Sequence, residues 1–254
     1  MTPALTLFAL PGIPLIQPGD DIASFIITSL RAASLVLEAS DVLVITSKIV
    51  SKAERRRLDL RTVTPSARAQ EIAVTTGKDP RLVEAVLSES SAVSRMGNNV
   101  LLTRHRLGFV SANAGIDHSN VGPDGEEWVL LLPQDPDASA RRIRDALQRE
   151  LGTAPGIIIS DTHGRPHRLG NISVAIGVAG LPALLNLRGQ PDLFGRALQY
   201  TEIGVADEIA SAADLLSGQA AEGLPVMLVR GLHLPSGDGH ASDLVRPLNM
   251  DLYN

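Results

Sequence analysis

Three short polar clusters carry the side chains in this sequence that could do chemistry, and each follows an apolar run. The first, Thr46-Ser47-Lys48-Ile49-Val50-Ser51-Lys52-Ala53-Glu54, places hydroxyls and two ammonium groups directly after Val42, Leu43, Val44 and Ile45. Charged donors of this kind make short, strong hydrogen bonds to phosphate oxygens, although a solvated strand end with surface lysines has the same composition. The second, Asn113-Ala114-Gly115-Ile116-Asp117-His118-Ser119-Asn120, brings an acid, an imidazole, a hydroxyl and two amides close together. Such hard donors hold Mg²⁺ through one or two carboxylates plus substrate phosphates, and the same residues also build Asx-rich turns. The third is Ser160-Asp161-Thr162-His163-Gly164-Arg165-Pro166-His167-Arg168. A carboxylate and a hydroxyl at a strand end can take a cation, and guanidinium groups clamp phosphate or carboxylate bidentately; an ion-paired loop reads the same way. His163 and His167 have the spacing of two zinc ligands on a helix, but Gly164 and Pro166 oppose a helix there.

The elements that must position these clusters follow from periodicity and punctuation. Residues 5–10 form a short apolar run ending at Pro11-Gly12; Asp20 or Asp21 can cap a helix carrying Ile22, Phe25, Ile26 and Leu30; residues 41–46 make a buried strand. Two packing helices follow, one after Pro65-Ser66 and ending at Gly77, the other opened by Pro80. Strands are expected at 100–103, 107–112 and 128–132, then an amphipathic helix over about 137–151 and a buried strand at 156–160. Residues 172–180 read as a small-residue strand or a close-packed segment, residues 201–216 as a helix with one apolar face stopped by Gly218, and residues 226–229 as a last strand. The polar clusters at 46–54 and 160–168 are expected as loops at strand ends. The reading is a mixed α/β (α+β) fold of two interwoven subdomains, with mixed sheets, flanking helices and no P-loop or Rossmann core. It spans 1–234, and residues 235–254 form a polar tail expected to be mobile or arm-like.

Composition narrows the chemistry further. The 254 residues carry 23 basic and 28 acidic side chains, a net charge of −5, which repels a phosphate backbone and argues against a nucleic-acid partner. With no cysteine there can be no disulfide, thiolate catalysis or zinc–thiolate site, so any metal is expected to be hard. No apolar run reaches membrane-spanning length, and the apolar start is broken by Pro11, Gly12 and Pro14 without a basic leader. Neither a membrane span nor a signal peptide is expected, and a cytoplasmic location is. No phosphate-cradling P-loop occurs, since Gly77-Lys78 runs into Asp79, and Gly237-Asp238-Gly239 lacks the rest of a dinucleotide fingerprint. Arg141-Arg142-Ile143-Arg144 reads as a solvated helix face.

Taken in order, Ile13-Pro14-Leu15-Ile16, the segments at 47–54 and 113–120, and Asp161-Thr162-His163-Gly164-Arg165 resemble the coenzyme F420-0:γ-glutamyl ligase family. So do Val174-Ala175-Ile176-Gly177, Asp192-Leu193-Phe194-Gly195-Arg196, Ala206-Asp207-Glu208-Ile209-Ala210, Gly223-Leu224-Pro225 and Val229-Arg230-Gly231, so the resemblance covers about residues 5–232. It implies a GTP-dependent, GDP-forming ligase that adds L-glutamate, and further γ-linked glutamates in some members, to a deazaflavin cofactor precursor. It also implies an acyl-phosphate intermediate, two divalent cations (Mg²⁺ or Mn²⁺) and K⁺ per subunit, and a homodimer.

By that resemblance Ile13, Pro14, Leu15, Ile16, Ser47, Lys48, Lys52 and Asn120 line the nucleotide site. The loop Ser217-Gly218-Gln219-Ala220-Ala221-Glu222-Gly223-Leu224 closes over it. Asp117 and Asp161 hold one divalent cation, Thr162 and Gln219 the second, and Lys52 and Arg165 neutralise the transferring phosphoryl group. Relatives often have Glu where this chain has Gln219, Asp where it has Asn186, and an aromatic residue where it has His163. Two other readings fit the residues: a metal-dependent amidase using Asp117, Asp161 and histidines to activate water, and a catalytically weakened nucleotide-binding relative.

Overall fold

Several helices begin or end where their sequence punctuation dictates. In the computed structural model, which describes residues 3–122, 125 and 127–251, the chain runs β1 (Thr6–Ala9), α1 (Ile22–Ala32), β2 (Val42–Thr46), α2 (Ser47–Ala53) and β3 (Arg57–Asp59). It continues through α3 (Ala67–Thr76), α4 (Pro80–Ser88), β4 (Ser90–Gly97), β5 (Val100–His105), β6 (Val110–Ala112), β7 (Trp128–Leu130) and α5 (Pro136–Leu151). The last elements are β8 (Gly156–Arg165), β9 (Arg168–Ala179), β10 (Leu185–Asn186), β11 (Glu202–Ile203), α6 (Val205–Ser217) and β12 (Val226–Arg230). Asp21, Asp79 and Asp135 accept the first free amides of α1, α4 and α5, with Pro80 and Pro136 opening the latter two. Gly77 and Gly152 end α3 and α5 in the left-handed conformation that glycine adopts without penalty.

A five-stranded mixed sheet in the order β1-β12-β2-β8-β9 forms the centre, and only β2 and β8 run parallel. Its inner strands β12 and β2, and β8 up to Asp161, are buried on both faces. One apolar layer joins Leu43, Ile45, Ile157, Ile159 and Leu228 to α1 and α5; the other joins Val44, Ile158, Val178 and Met227 to α6. A third core packs α3 and α4 against Leu101, Ile116 and Val129, in the segment inserted between α2 and α5. The expected mixed α/β architecture is therefore the one found. Among the described residues no helix is long and apolar enough to cross a membrane.

Three differences from the sequence expectation bear on function. The cluster at 47–54 is not a loop: α2 starts directly at Ser47, because Ile49 and Val50 pack on the central core. The cluster at 160–168 is a hairpin, with β8 extending to Arg165 and returning from Arg168. The described part of the tail, residues 235–251, lies against the rest of the chain rather than forming an arm. The open edge of β9, whose outward amides would otherwise be an exposed pairing template, is served by acids of α5 and α6, and the tail continues this just past the strand. Ala175 N donates to Asp207 (2.8 Å), Val178 N to Asp137 (2.7 Å), and Gly180 N, just past β9, to Asp238 of the tail (2.8 Å). Gly239 N donates to Leu181 O, and Asp251 pairs with Arg104 at 3.3 Å.

Candidate active site

The parallel pairing of β2 with β8 is what creates the site. Its register ends on Thr46 opposite Ser160, so the next residues, Ser47 and Asp161, lie side by side where β2 ends and β8 runs on into its hairpin with β9. In open α/β sheets ligand-binding groups collect at carboxyl strand ends such as that of β2. Ser47 Oγ donates to Asp161 Oδ1 at 2.9 Å, and both residues are buried. The first and third clusters, more than a hundred residues apart in sequence, thus meet through strand register.

The second cluster joins them from the inserted segment. Asp117 exchanges both backbone hydrogen bonds with Leu130 of β7, and its Oδ2 lies 2.6 Å from Lys48 Nζ. Gly115 has φ +68°, and a Cβ there would stand 2.7 Å from Leu132 Cδ1 and 3.4 Å from Asp161 Oδ2. Only glycine lets this backbone take that conformation so close to the carboxylate. Burial pushes the Asp117 carboxyl above its ordinary value; the Lys48 charge opposes this, and the Asp161 charge adds to it. Two acids in mutual repulsion beside an ammonium group form a place where further positive charge is stabilising.

A basic patch adjoins the acids. Lys52 is half-buried, and its ammonium is pushed below its ordinary range by burial and then by the charges of Arg57 and Lys48. Arg57 was not singled out in the sequence. The signal was present in Arg55-Arg56-Arg57 directly after Lys52, and in the lone Trp128, whose ring lies 4.6 Å from the Arg57 guanidinium carbon. Arg57 and Asp117 sit opposite Leu130 from its two sides, in one register. Three cations drawn together cost mutual repulsion that an anion offsets.

The loop after α6 closes across the clusters. Thr162 Oγ1 donates to Gln219 Oε1 at 3.0 Å, Gln219 Nε2 to Asp214 at 2.5 Å, and Asn120 Nδ2 to Ala220 O at 3.2 Å. Glu222 turns back to accept from Ala220 N at 2.8 Å, so Ser217, Gly218, Ala221, Gly223 and Leu224 are carried on a self-bonded turn. Residues 13–16 reach the site by packing: Ile16 is buried in the same cluster as Ile49 and Val50, Ile13 lies against it, and Pro14 and Leu15 face solvent. His163 Nε2 is 3.2 Å from Asp161 Oδ2 but makes no aligned hydrogen bond, and its ring leans on Phe109 with centroids 4.9 Å apart.

Two singled-out residues are not gathered in. Arg165 donates to the carbonyls of Leu169 (3.0 Å) and Gly170 (3.4 Å), fastening its own hairpin. Asn186 accepts from Arg188 N in the exposed β10–β11 pair. Among the described residues no three His, Cys, Asp or Glu side chains converge on a common point. The donor set at Asp117 and Asp161 is two carboxylates, which suffices for a hard cation that keeps water and phosphate as its other ligands.

The family model for F420-0:γ-glutamyl ligases matches residues 12–231. A coenzyme F420:L-glutamate ligase of Methanothermobacter thermautotrophicus is 47% identical over 252 residues, covering 98% of both chains. Ligases of the same name from Methanopyrus kandleri and Archaeoglobus fulgidus are 45% identical over 230 residues and 42% identical over 247, covering 91% and 97% of this chain and 88% and 95% of theirs. A match over most of the chain, with Ser47, Lys48, Asp117 and Asp161 gathered where β2 ends beside β8, places this chain in the F420-0:γ-glutamyl ligase family.

Proposed function

We propose that the chain joins L-glutamate through an amide bond to the carboxylate of coenzyme F420-0, consuming GTP and releasing GDP and phosphate. The observation that carries this reading is the strand register that sets the Ser47–Asp161 pair (2.9 Å) beside the Lys48–Asp117 pair (2.6 Å), with Lys52 and Arg57 adjoining. A carboxylate and an ammonium do not condense readily in water, so the acceptor carboxylate must first be activated. One of its oxygens attacks the γ-phosphorus, the bond to the GDP oxygen breaks, and an acyl phosphate results. The glutamate amine then attacks the acyl carbon, inorganic phosphate leaves, and the nitrogen loses its proton to water.

Each local feature has a role in that sequence. Lys48, Lys52 and Arg57 draw in the triphosphate and lower the electrostatic cost of bringing an anionic acceptor against it. Ser47 fixes the rotamer of Asp161, and the loop carrying Gln219 and Ala220 covers the phosphates through Thr162 and Asn120. Asp117 and Asp161 are the residues that would hold a divalent cation, Mg²⁺ or Mn²⁺, and when bound it would neutralise charge on the transferring phosphoryl group. Thr162 and Gln219 offer neutral oxygens to a second cation, which would depend on phosphate oxygens for charge. K⁺ is the proposed monovalent ion, and the working unit is a homodimer.

Incubating the purified protein with F420-0, glutamate, GTP and Mn²⁺ and weighing the products tests the reading. A mass gain of one glutamyl unit, dependent on GTP and matched by GDP, is expected; larger gains would show successive γ-linked additions. Amide cleavage without nucleotide would point instead to an amidase, and GTP binding without any product to a weakened relative.

A further inference from the structure

A second concavity lies behind the acidic pair, along the open edge of β9. It encloses about 510 Å³, within the range of small-molecule sites, and the nucleotide-site residues Lys48, Lys52 and Asn120 do not line it. Its link to the reaction centre is His163, which lines the cavity and stands 3.2 Å from Asp161. Its inner wall is aromatic and aliphatic: Phe109, stacked on the buried His105 with centroids 5.1 Å apart, together with Val174 and Ile176 of β9. Its outer wall is the C-terminal segment around Leu244 and Val245, beyond the residues matched by the family model. That wall is fixed in place: Ala241 N donates to Asp137 at 3.2 Å, and Arg104 pairs with Asp251.

The charges around the cavity indicate what it can take. Asp135, Asp137, Asp207 and Asp251 outnumber Arg104 and Arg246, so a triphosphate is repelled here and attracted to the lysine patch instead. The volume exceeds what glutamate fills, and the apolar inner wall offers nothing to a small zwitterion. What remains is the third substrate. We propose that this cavity receives the flat ring-bearing body of the acceptor against its aromatic and aliphatic inner wall, leaving the carboxylate end to pass His163 toward Asp161, with the C-terminal segment as a wall that sets acceptor selectivity. This assignment rests on the ligase reading above.

Two tryptophan substitutions from opposite walls test it. Val245→Trp fills the cavity from the tail, where Val245 already packs against Gly108; Val110→Trp does so from β6, at a partly exposed position that tolerates a ring. The readouts are equilibrium binding of F420-0 without nucleotide, KM for each substrate, GTP affinity and the thermal melt. A rise of roughly ten-fold or more in both Kd and KM for F420-0 is expected, since pocket volume is read at about that level, with GTP affinity and glutamate KM unchanged. Unchanged F420-0 binding in a cooperatively melting variant overturns the proposal, as does loss of GTP affinity instead, or absence of F420-0 binding by the parent. If Val245→Trp fails to fold, Val110→Trp decides. Because binding is measured directly, a parent that binds F420-0 but makes no product would defeat the ligase reading while leaving the cavity to be judged on its own.

Discussion

Asp161 is placed by the register of β8, and its carboxylate is flanked by two neighbours. Ser47 bonds one carboxylate oxygen and His163 faces the other, so Asp161→Asn keeps the shape and one acceptor while removing the charge that a hard cation requires. Ligation at ordinary Mn²⁺ should be abolished with the melt preserved. The double variant with Asp117→Asn should be little worse than either single one, because residues acting as a unit fail together. Activity within a few-fold of the parent, with unshifted metal dependence, would remove both from cation binding. Lys52→Ala should weaken GTP binding by roughly 1.5 to 3 kcal/mol, the scale of a charge-assisted hydrogen bond, and leave glutamate binding alone. Calorimetric titration with GTP checks this, and an unchanged affinity takes Lys52 out of the nucleotide site. The acids and lysines were legible in the sequence because each follows an apolar strand. Arg57 was not singled out: the basic run after Lys52 marks three arginines alike, and only the pairing of β3 with β7 shows which of them adjoins Lys52.

At the scale of elements, the strand–helix contacts that frame the site turn on single atoms. A Cβ at Gly177 would lie 2.6 Å from the backbone of Pro136, so Gly177→Ala must push the first turn of α5 off β9 and strain the Val178–Asp137 bond. Overpacking of this kind costs on the order of 1 to 3 kcal/mol, and a lower urea midpoint with unchanged m-value is expected. An unchanged midpoint would mean that α5 yields freely. Glu89, at the end of α4, gives a pH signature. Burial alone would raise its pKa, but His105 at 3.6 Å, Arg56 at 2.9 Å and Arg106 at 3.1 Å hold it down to about 2, against an ordinary 4.5. A depressed carboxyl adds stability above the unfolded value and loses it as pH falls through the folded one, so the contribution should vanish between about pH 4.5 and 2. Glu89→Gln should lower the melting temperature at pH 7 and flatten its fall on acidification; parallel pH curves for the two proteins would refute the assignment. Capped helices were the most legible elements, since Asp-Pro and terminal glycines state their own boundaries. The stretches at 47–54 and 160–168 misread as loops because their order comes from β2 and β8 beneath them, and β4 passed unnoticed because it is mostly polar and exposed.

For the whole molecule the unresolved economy is on the surface. Leu169, Leu193, Phe194 and Tyr200 are 98%, 99%, 89% and 88% exposed, the first on the β8–β9 hairpin and the rest between β10 and β11. Solitary exposed apolar side chains need no explanation, but Leu193 and Phe194, adjacent and both about nine-tenths exposed or more, suit a surface that the proposed second copy would cover. The backbone of the second segment is held without them: Asp192 accepts from Phe194 N at 2.8 Å and from Arg196 N at 2.9 Å, and Arg188 pairs with Glu202 at 2.8 Å. Replacing the rings with charge should therefore spare the fold and strike only association. The proposed homodimer predicts a parent mass near twice 26.9 kDa at micromolar concentration, and a monomer for Leu193→Asp combined with Phe194→Asp, with the melt of the dilute proteins alike. Sedimentation equilibrium over a dilution series measures both. A parent that is monomeric at every concentration and salt, or a double variant that dimerises as tightly as the parent, would show that these side chains serve no self-association.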